Sequence, residues 1–243
     1  DLLLRRGAPS VAARYLELAA RLSTIAADSS RLLRLAAEAA FEQGRDDLVE
    51  VLLARADAFG GDVREQAHRN RVRLRAALRS GTGDDVIGAL RAAADDVEEE
   101  DPVLSAELLL DVLAPLVRAA RPVELLEVAG VAHSRARRSG HDDLLRRAEV
   151  AVGVARIVNG DSTGQELLAR HRDLLADGPS STTSAFLAEV VAPCLAFVQR
   201  TAEAKALFDD LERDLRRRGA VPALIGVLAA QAIVIHGSSV ERA

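Results

Sequence analysis

The stretch Leu35-Ala36-Ala37-Glu38-Ala39-Ala40-Phe41-Glu42-Gln43-Gly44-Arg45-Asp46-Asp47-Leu48-Val49 decides the fold. An alanine-rich helix runs up to Gly44, a residue that takes the left-handed conformation closing a helix at no steric cost. Asp46 and Asp47 then open the next helix, where an acidic side chain suits the unpaired N–H groups. Working outward, the same punctuation recurs. Helix ends are predicted at Gly44, Gly60, Ser80–Gly81, Gly140, Gly160, Gly178 and Gly219. Helix starts are predicted at Asp28–Ser29, Asp46, Asp62, Asp84, Asp101–Pro102, Asp142, Ser162 and Ser180. Asp62 with Glu65, and Ser162 with Gln165, have capping-box spacing. Gly7, Gly44 and Gly81 follow one another at intervals of 37, and later units begin near Arg121, Gly160 and Thr201. The chain is therefore predicted to be all-α: an α-solenoid of about six helical hairpins, expected to wind as a right-handed superhelix. No Pro/Gly/Ser linker divides it, so residues 1–243 read as a single domain. The softest stretch, 178–184, reads as one long inter-helix loop, and Pro193 is expected to kink the helix that holds it.

Composition narrows the class. Apolar residues make up 49% of the chain, too many for disorder, and aromatics only 2%, so helices must pack through leucine and alanine. One cysteine, Cys194, rules out an internal disulfide and a cysteine-rich zinc site. Its neighbours are apolar, so it reads as buried and unreactive. The 32 basic residues include one lysine, Lys205, a bias that points to a GC-rich and hence bacterial genome. No methionine is present, and the chain is expected to be a piece of a longer protein. The apolar stretch 220–235 is short and interrupted by Pro222, Gly226 and Gln231, which reads as a buried terminal helix and no membrane span.

The search for chemistry excludes more than it finds. Lys205 follows an alanine, so no phosphate loop is present, and Gly81-Thr82-Gly83 has no strand before it. The histidines His68, His133, His141, His171 and His236 do not pair at helical spacing, so a metal site would have to be assembled across repeats. No catalytic constellation is evident, and the chain is expected to be no enzyme and to hold no cofactor. Direct nucleic-acid binding is not expected, because the net charge is −5 and stacking aromatics are scarce. Arginines cluster at helix ends, as at Arg135, Arg137 and Arg138, where they suit the helix dipole.

One pattern stands out. Arg64, His68, Arg71, Arg75 and Arg79 fall on a single face of one helix, with Val63, Ala67, Leu74 and Leu78 opposite as core. Such a stripe can line a groove for an anion or an acidic partner. The plainer reading is a solvated face, neutralised by the acidic run Asp95, Asp96, Glu98, Glu99, Glu100 and Asp101, on which alanine at Arg71 and Arg75 costs little.

Ala37 and Phe41 followed by Gly44 resemble the small residue, aromatic and turn of a tetratricopeptide (TPR) unit, although its tryptophan is missing and the units here are longer than 34 residues. A closer resemblance is carried by Gly7-Ala8-Pro9-Ser10-Val11-Ala12-Ala13-Arg14-Tyr15-Leu16 and by Ala36-Ala37-Glu38-Ala39-Ala40-Phe41-Glu42-Gln43-Gly44-Arg45. Glu203-Ala204-Lys205-Ala206-Leu207-Phe208 and Leu215-Arg216-Arg217-Arg218-Gly219-Ala220 add to it near the other end. These segments resemble the helical region of the large ATP-binding regulators of the LuxR family. The resemblance implies a cytoplasmic sensor and oligomerisation scaffold of a transcriptional regulator. Its ATPase and helix-turn-helix domains would lie outside this sequence, with ATP bound only in the upstream domain. The implied partners are other copies, other protein domains and a small-molecule effector. The alternative is a stand-alone TPR-like adaptor, whose Arg64-to-Arg79 stripe would suit an acidic protein partner.

Overall fold

A computed structural model of the chain describes residues 9–79, 84–171, 186–218 and 224–232, and all secondary structure among them is helical. The helices are α1 (Pro9–Leu22), α2 (Ala26–Glu42), α3 (Asp46–Asp57), α4 (Val63–Arg79), α5 (Asp84–Asp96), α6 (Pro102–Arg118), α7 (Pro122–Ser139), α8 (Asp142–Val158) and α9 (Gly164–Arg170). A π-helical turn, Leu187–Val191, runs without a break into Ala192–Phe197, and the two form α10. Then come α11 (Thr201–Arg218) and α12 (224–232). Taken in pairs, α1 to α8 make four consecutive hairpins, α9 to α12 continue the stack among the described residues, and the all-α helical-repeat architecture is the one the glycine spacing predicts.

Two apolar cores run through the stack. The smaller is built by α1 to α4 around Leu33, Ala36, Leu52, Leu53 and Ala56. The larger runs from α4 to α12 and includes Leu90, Leu108, Leu113, Ala151, Val191 and Phe208. Buried alanines let helices approach closely, which is how a chain with so few aromatics closes its interior. The extreme case is the crossing of α8 and α9, where a Cβ on Gly164 would lie 2.2 Å from the Gly153 carbonyl oxygen. Helix α4 belongs to both cores. Val72 is buried in the smaller, while Ala67 is buried in the larger with Leu74, Ala77 and Leu78 packed against it.

Four inter-helix turns close in the same way. At Gly44 and Gly160 the next residue donates back five positions, Arg45 to Ala40 O and Asp161 to Arg156 O. The same bonds run from Arg121 to Leu116 O and from Arg200 to Leu195 O, with Ala120 (φ 52°) and Gln199 (φ 63°) in the left-handed position. These two stops carry no glycine; the repeat spacing places unit starts beside them, near Arg121 and Thr201, but does not mark the residue that turns. Other boundaries move slightly. Ile25 precedes α2, so Asp28 and Ser29 fall in its first turn and do not cap it. Arg45 and His141 precede α3 and α8, with Asp46 and Asp142 as first helical residues. Thr163 stands at the cap position expected of Ser162 without a side-chain cap bond, and Asp161 accepts from Thr163 N at 3.0 Å in the turn before it. Asp62 and Asp101 cap as expected, accepting from Glu65 N at 2.8 Å and Leu104 N at 2.9 Å. The stops and starts at Gly81, Gly178, Ser180 and Gly219 lie outside the described residues.

Pro193 acts through the turn before it. Its ring would collide with the carbonyl of Glu189 in a regular helix, and the wider π turn at Leu187–Val191 accommodates the collision. Of the apolar C-terminal stretch, 224–232 is helical, with Val227 buried and Ile225 and Leu228 exposed. No helix among the described residues is long and apolar enough to cross a membrane.

The left-handed conformation costs a non-glycine residue about 1 kcal/mol. Ala120→Gly is therefore expected to raise stability by that amount and to raise the thermal midpoint by about 2–4 °C in a chain of this size. An unchanged or lowered midpoint contradicts the turn assignment.

Candidate functional site

The predicted basic stripe lies on α4, and the structure turns its middle, His68, Arg71 and Arg75, inward while Arg64 and Arg79 at its ends stay exposed. Arg64 pairs with Asp101, the capping residue of α6, at 2.5 Å. Arg71 pairs with Asp111 of α6 at 2.6 Å and also with Glu107, and its side chain is only 13% exposed. Arg75 and Arg79 reach back to the second hairpin's turn. Their guanidinium carbons lie 4.7 and 3.6 Å from the centre of the Phe41 ring. Arg79 also donates to Phe41 O at 3.0 Å and pairs with Asp46 at 3.3 Å, and Arg75 lies 4.0 Å from Glu42. The face is neither an open groove nor a solvated stripe. Of the acidic run expected to neutralise it, Asp101 alone pairs with the stripe; Asp95 and Glu98 pair with Arg135 instead. The expected core side of α4 is also uneven. Ala67 is buried, Leu74 and Leu78 are half-buried, and Val63 is exposed.

Two further arginines of α4 complete the seam. Arg69, which is almost fully buried, donates to Ser30 Oγ at 2.8 Å and Gly60 O at 3.0 Å and lies 2.7 Å from Asp57. Arg73 pairs with Glu50 and Asp57 at 3.0 and 2.9 Å. All six arginines of α4 thus have partners on α2, α3 or α6 or in the turns beside them. Burying a guanidinium costs several kcal/mol unless carboxylates and carbonyls replace its water. The alanine tolerance expected of a surface stripe therefore does not extend to Arg71.

The same device appears further along. Arg135 of α7 was expected to serve as an exposed helix-end charge. It is instead buried, donating to Ser105 Oγ at 2.8 Å and pairing with Asp95 at 2.6 Å. In both places the serine hydroxyl also lies against a carbonyl near the end of a first helix, Ala56 O for Ser30 and Ala94 O for Ser105. The cation meets the negative end of the dipole there. Between second helices the pairing continues. Arg34 of α2 holds Glu65 of α4 at 2.9 Å, and Glu107 of α6 faces both Arg71 and Arg147 of α8. Sequence reasoning missed these buried arginines because nothing local distinguishes them from exposed ones.

The electrostatics follow from burial and neighbours. Burial alone would weaken proton binding at Arg71, but Asp111 and Glu107 outweigh it and raise its pKa above the ordinary value. Burial opposes ionisation of Asp111 too, yet Arg71 and Arg75 hold its carboxyl below the usual range. His68 sits in the stripe and is pushed down to about 4, first by burial and then by Arg34, Arg71 and Arg64, with Asp101 opposing. Burial pushes the Cys194 thiol up to about 12, so it is a poor nucleophile at neutral pH.

Other candidate chemistry is sparse. His133 of α7 and His171 after α9 flank the same carboxylate, Glu149 of α8, with His133 at 3.9 Å. Among the described residues no group of three or more His, Cys, Asp or Glu is placed to hold a metal ion. A cleft of about 280 Å³ opens between α4 and α5, lined by Gly61, Asp62, Gln66, Asn70 and Asp96. It falls just below the size range of ordinary small-molecule sites. No family model, curated protein or solved structure matches the chain.

His68 makes the seam sensitive to acid. Its folded-state pKa lies below the ordinary 6.5, so its contribution is fully present above pH 6.5 and is lost as pH falls toward 4. After discounting for its partial exposure, the loss across that window is about 2 kcal/mol. Denaturant midpoints of the parent and His68→Asn between pH 7 and 4 check this: the variant should lose distinctly less, and parallel curves would show that His68 is not the responsible group.

Proposed function

We propose that the chain is the sensor and oligomerisation scaffold of a LuxR-type ATP-binding transcriptional regulator. In this reading the ATPase and helix-turn-helix domains lie outside the sequence and the module works in the cytoplasm. The observation that carries the scaffold reading is the α4 seam. Two apolar cores meet there, and their relative placement rests on ion pairs reaching both ways along the stack. A ligand or partner that prefers one arrangement of the two blocks can shift the stack by its differential affinity. Packed cores are bistable and do not deform continuously, which suits a module that passes a signal along its length.

The finer assignment rests on the resembling segments. The first two span α1 and the α2–α3 turn, and residues 203–208 lie on α11. The adaptor reading loses its motive in the stripe, because the arginines that would greet an acidic peptide already hold carboxylates of this chain. The test is the coding sequence on both sides. A phosphate-loop ATPase upstream and a helix-turn-helix downstream are the expected result, and start and stop codons close to the two ends would overturn the regulator reading.

A further inference from the structure

Helix α1 presents an apolar stripe to solvent. Val11, Tyr15, Leu18 and Leu22 are all exposed, Tyr15 at 62% and Leu22 at 74%, and Ile25 just beyond the helix at 58%. Their spacing alternates four and three, the pattern of a seam between two helices. The stripe lies opposite the face that α1 buries, which carries Ala12, Ala13 and Ala20.

The fold does not require apolar residues at such positions. On the later first helices the exposed faces are broken by polar or small residues: Asp47, Val51 and Ala54 on α3, Asp85, Ala89 and Asp96 on α5, and Val123, Glu127, Val131 and Ser134 on α7. Among these helices only α1 exposes a continuous run of large apolar side chains.

We propose that this stripe is a self-association surface whose occupant is α1 of a second copy, packed antiparallel across a two-fold axis. The inference deepens the scaffold reading and rests on it in taking self-association as part of the module's work. Two observations support a second copy. The spacing is self-complementary: an antiparallel partner centred between Tyr15 and Leu18 sets Val11 against Leu22 and Tyr15 against Leu18, with the same contacts repeated by symmetry. The five side chains leave on the order of 500 Å² in solvent per copy, so pairing buries about 1,000 Å² in total, the lower bound of a specific interface. The exposed charges of the edge, Arg14 and Arg21, lie on one side, where the two-fold sets Arg14 near Arg21 of the other copy, a like-charge contact that opposes pairing. The interface is therefore tightened by salt, which screens that repulsion and strengthens apolar burial. Docking onto an acidic partner would respond in the opposite sense.

The experiment is sedimentation equilibrium of the 243-residue chain at 50 and 500 mM NaCl, with Leu18→Glu as comparison. The position is exposed, so the variant should keep the parent's circular dichroism and thermal midpoint. The expected result is a dimer that tightens with salt and is weakened at least tenfold by Leu18→Glu. Register is read by oxidising mixed chains of Val11→Cys and Leu22→Cys. An antiparallel seam forms the 11–22 cross-link in preference to 11–11 and 22–22, and preference for the latter two overturns the proposed register. A dimer indifferent to Leu18→Glu overturns the α1 surface and leaves the scaffold reading standing. A monomer at high concentration in both salts overturns the proposal and strips self-association from that reading, while the flanking-domain test remains independent of either result.

Discussion

The structure depends on the cost of burying a guanidinium group. Helix α4 carries six arginines through the middle of a helical stack; Arg64 and Arg79 keep contact with water, but Arg69 and Arg71 are tolerable there only because oxygen atoms stand where water would. The partner oxygens of α4 come from both directions. Asp46, Asp57, Ser30 and Gly60 belong to the smaller block, and Asp101, Glu107 and Asp111 to the larger. Satisfying α4 therefore fixes the position of one block against the other. Apolar packing alone would do this less specifically, since Val72 and Ala67 contact their cores through small, weakly directional surfaces.

The remainder of the stack is built more simply. Leucine and alanine supply the interior, short turns supply the antiparallel pairing, and the buried arginine–serine arrangement recurs at Arg135 to tie α5, α6 and α7 together. Pairing between second helices, from Arg34 through Glu107 to Arg147, gives the layer a polar thread beside its apolar one. Such a thread is directional and constrains register, whereas an alanine surface lets helices slide.

Much of the fold was legible because helix ends are local events. Gly44, Gly140 and Gly160 close helices as their chemistry predicts, and Asp62 and Asp101 open them. The stops before Arg121 and Thr201 were legible only through the repeat spacing, since the left-handed conformation falls on Ala120 and Gln199, residues that do not advertise it. The stripe on α4 was legible as a pattern and misleading as a surface. Helical periodicity places Arg64, Arg71, Arg75 and Arg79 on one face, but whether that face meets water depends on the neighbouring hairpins. The partners that neutralise it, Glu107 and Asp111 ahead and Asp46 behind, sit in other repeats, and nothing in the spacing of α4 itself points to them.

The central claim is that α4's arginines couple the two blocks through their carboxylates, and a double-mutant cycle on Arg71 and Asp111 tests it most directly. Removing Arg71 strands the buried Asp111 and removing Asp111 leaves Arg71 with Glu107 alone, whereas removing both leaves an apolar contact and Glu107 facing Arg147. Arg71→Met and Asp111→Leu should each destabilise the chain by several kcal/mol, and the double variant should recover part of that loss, with a coupling energy above about 1 kcal/mol. Losses that simply add would show that the two side chains do not depend on each other, and the seam would not be what holds the stack together.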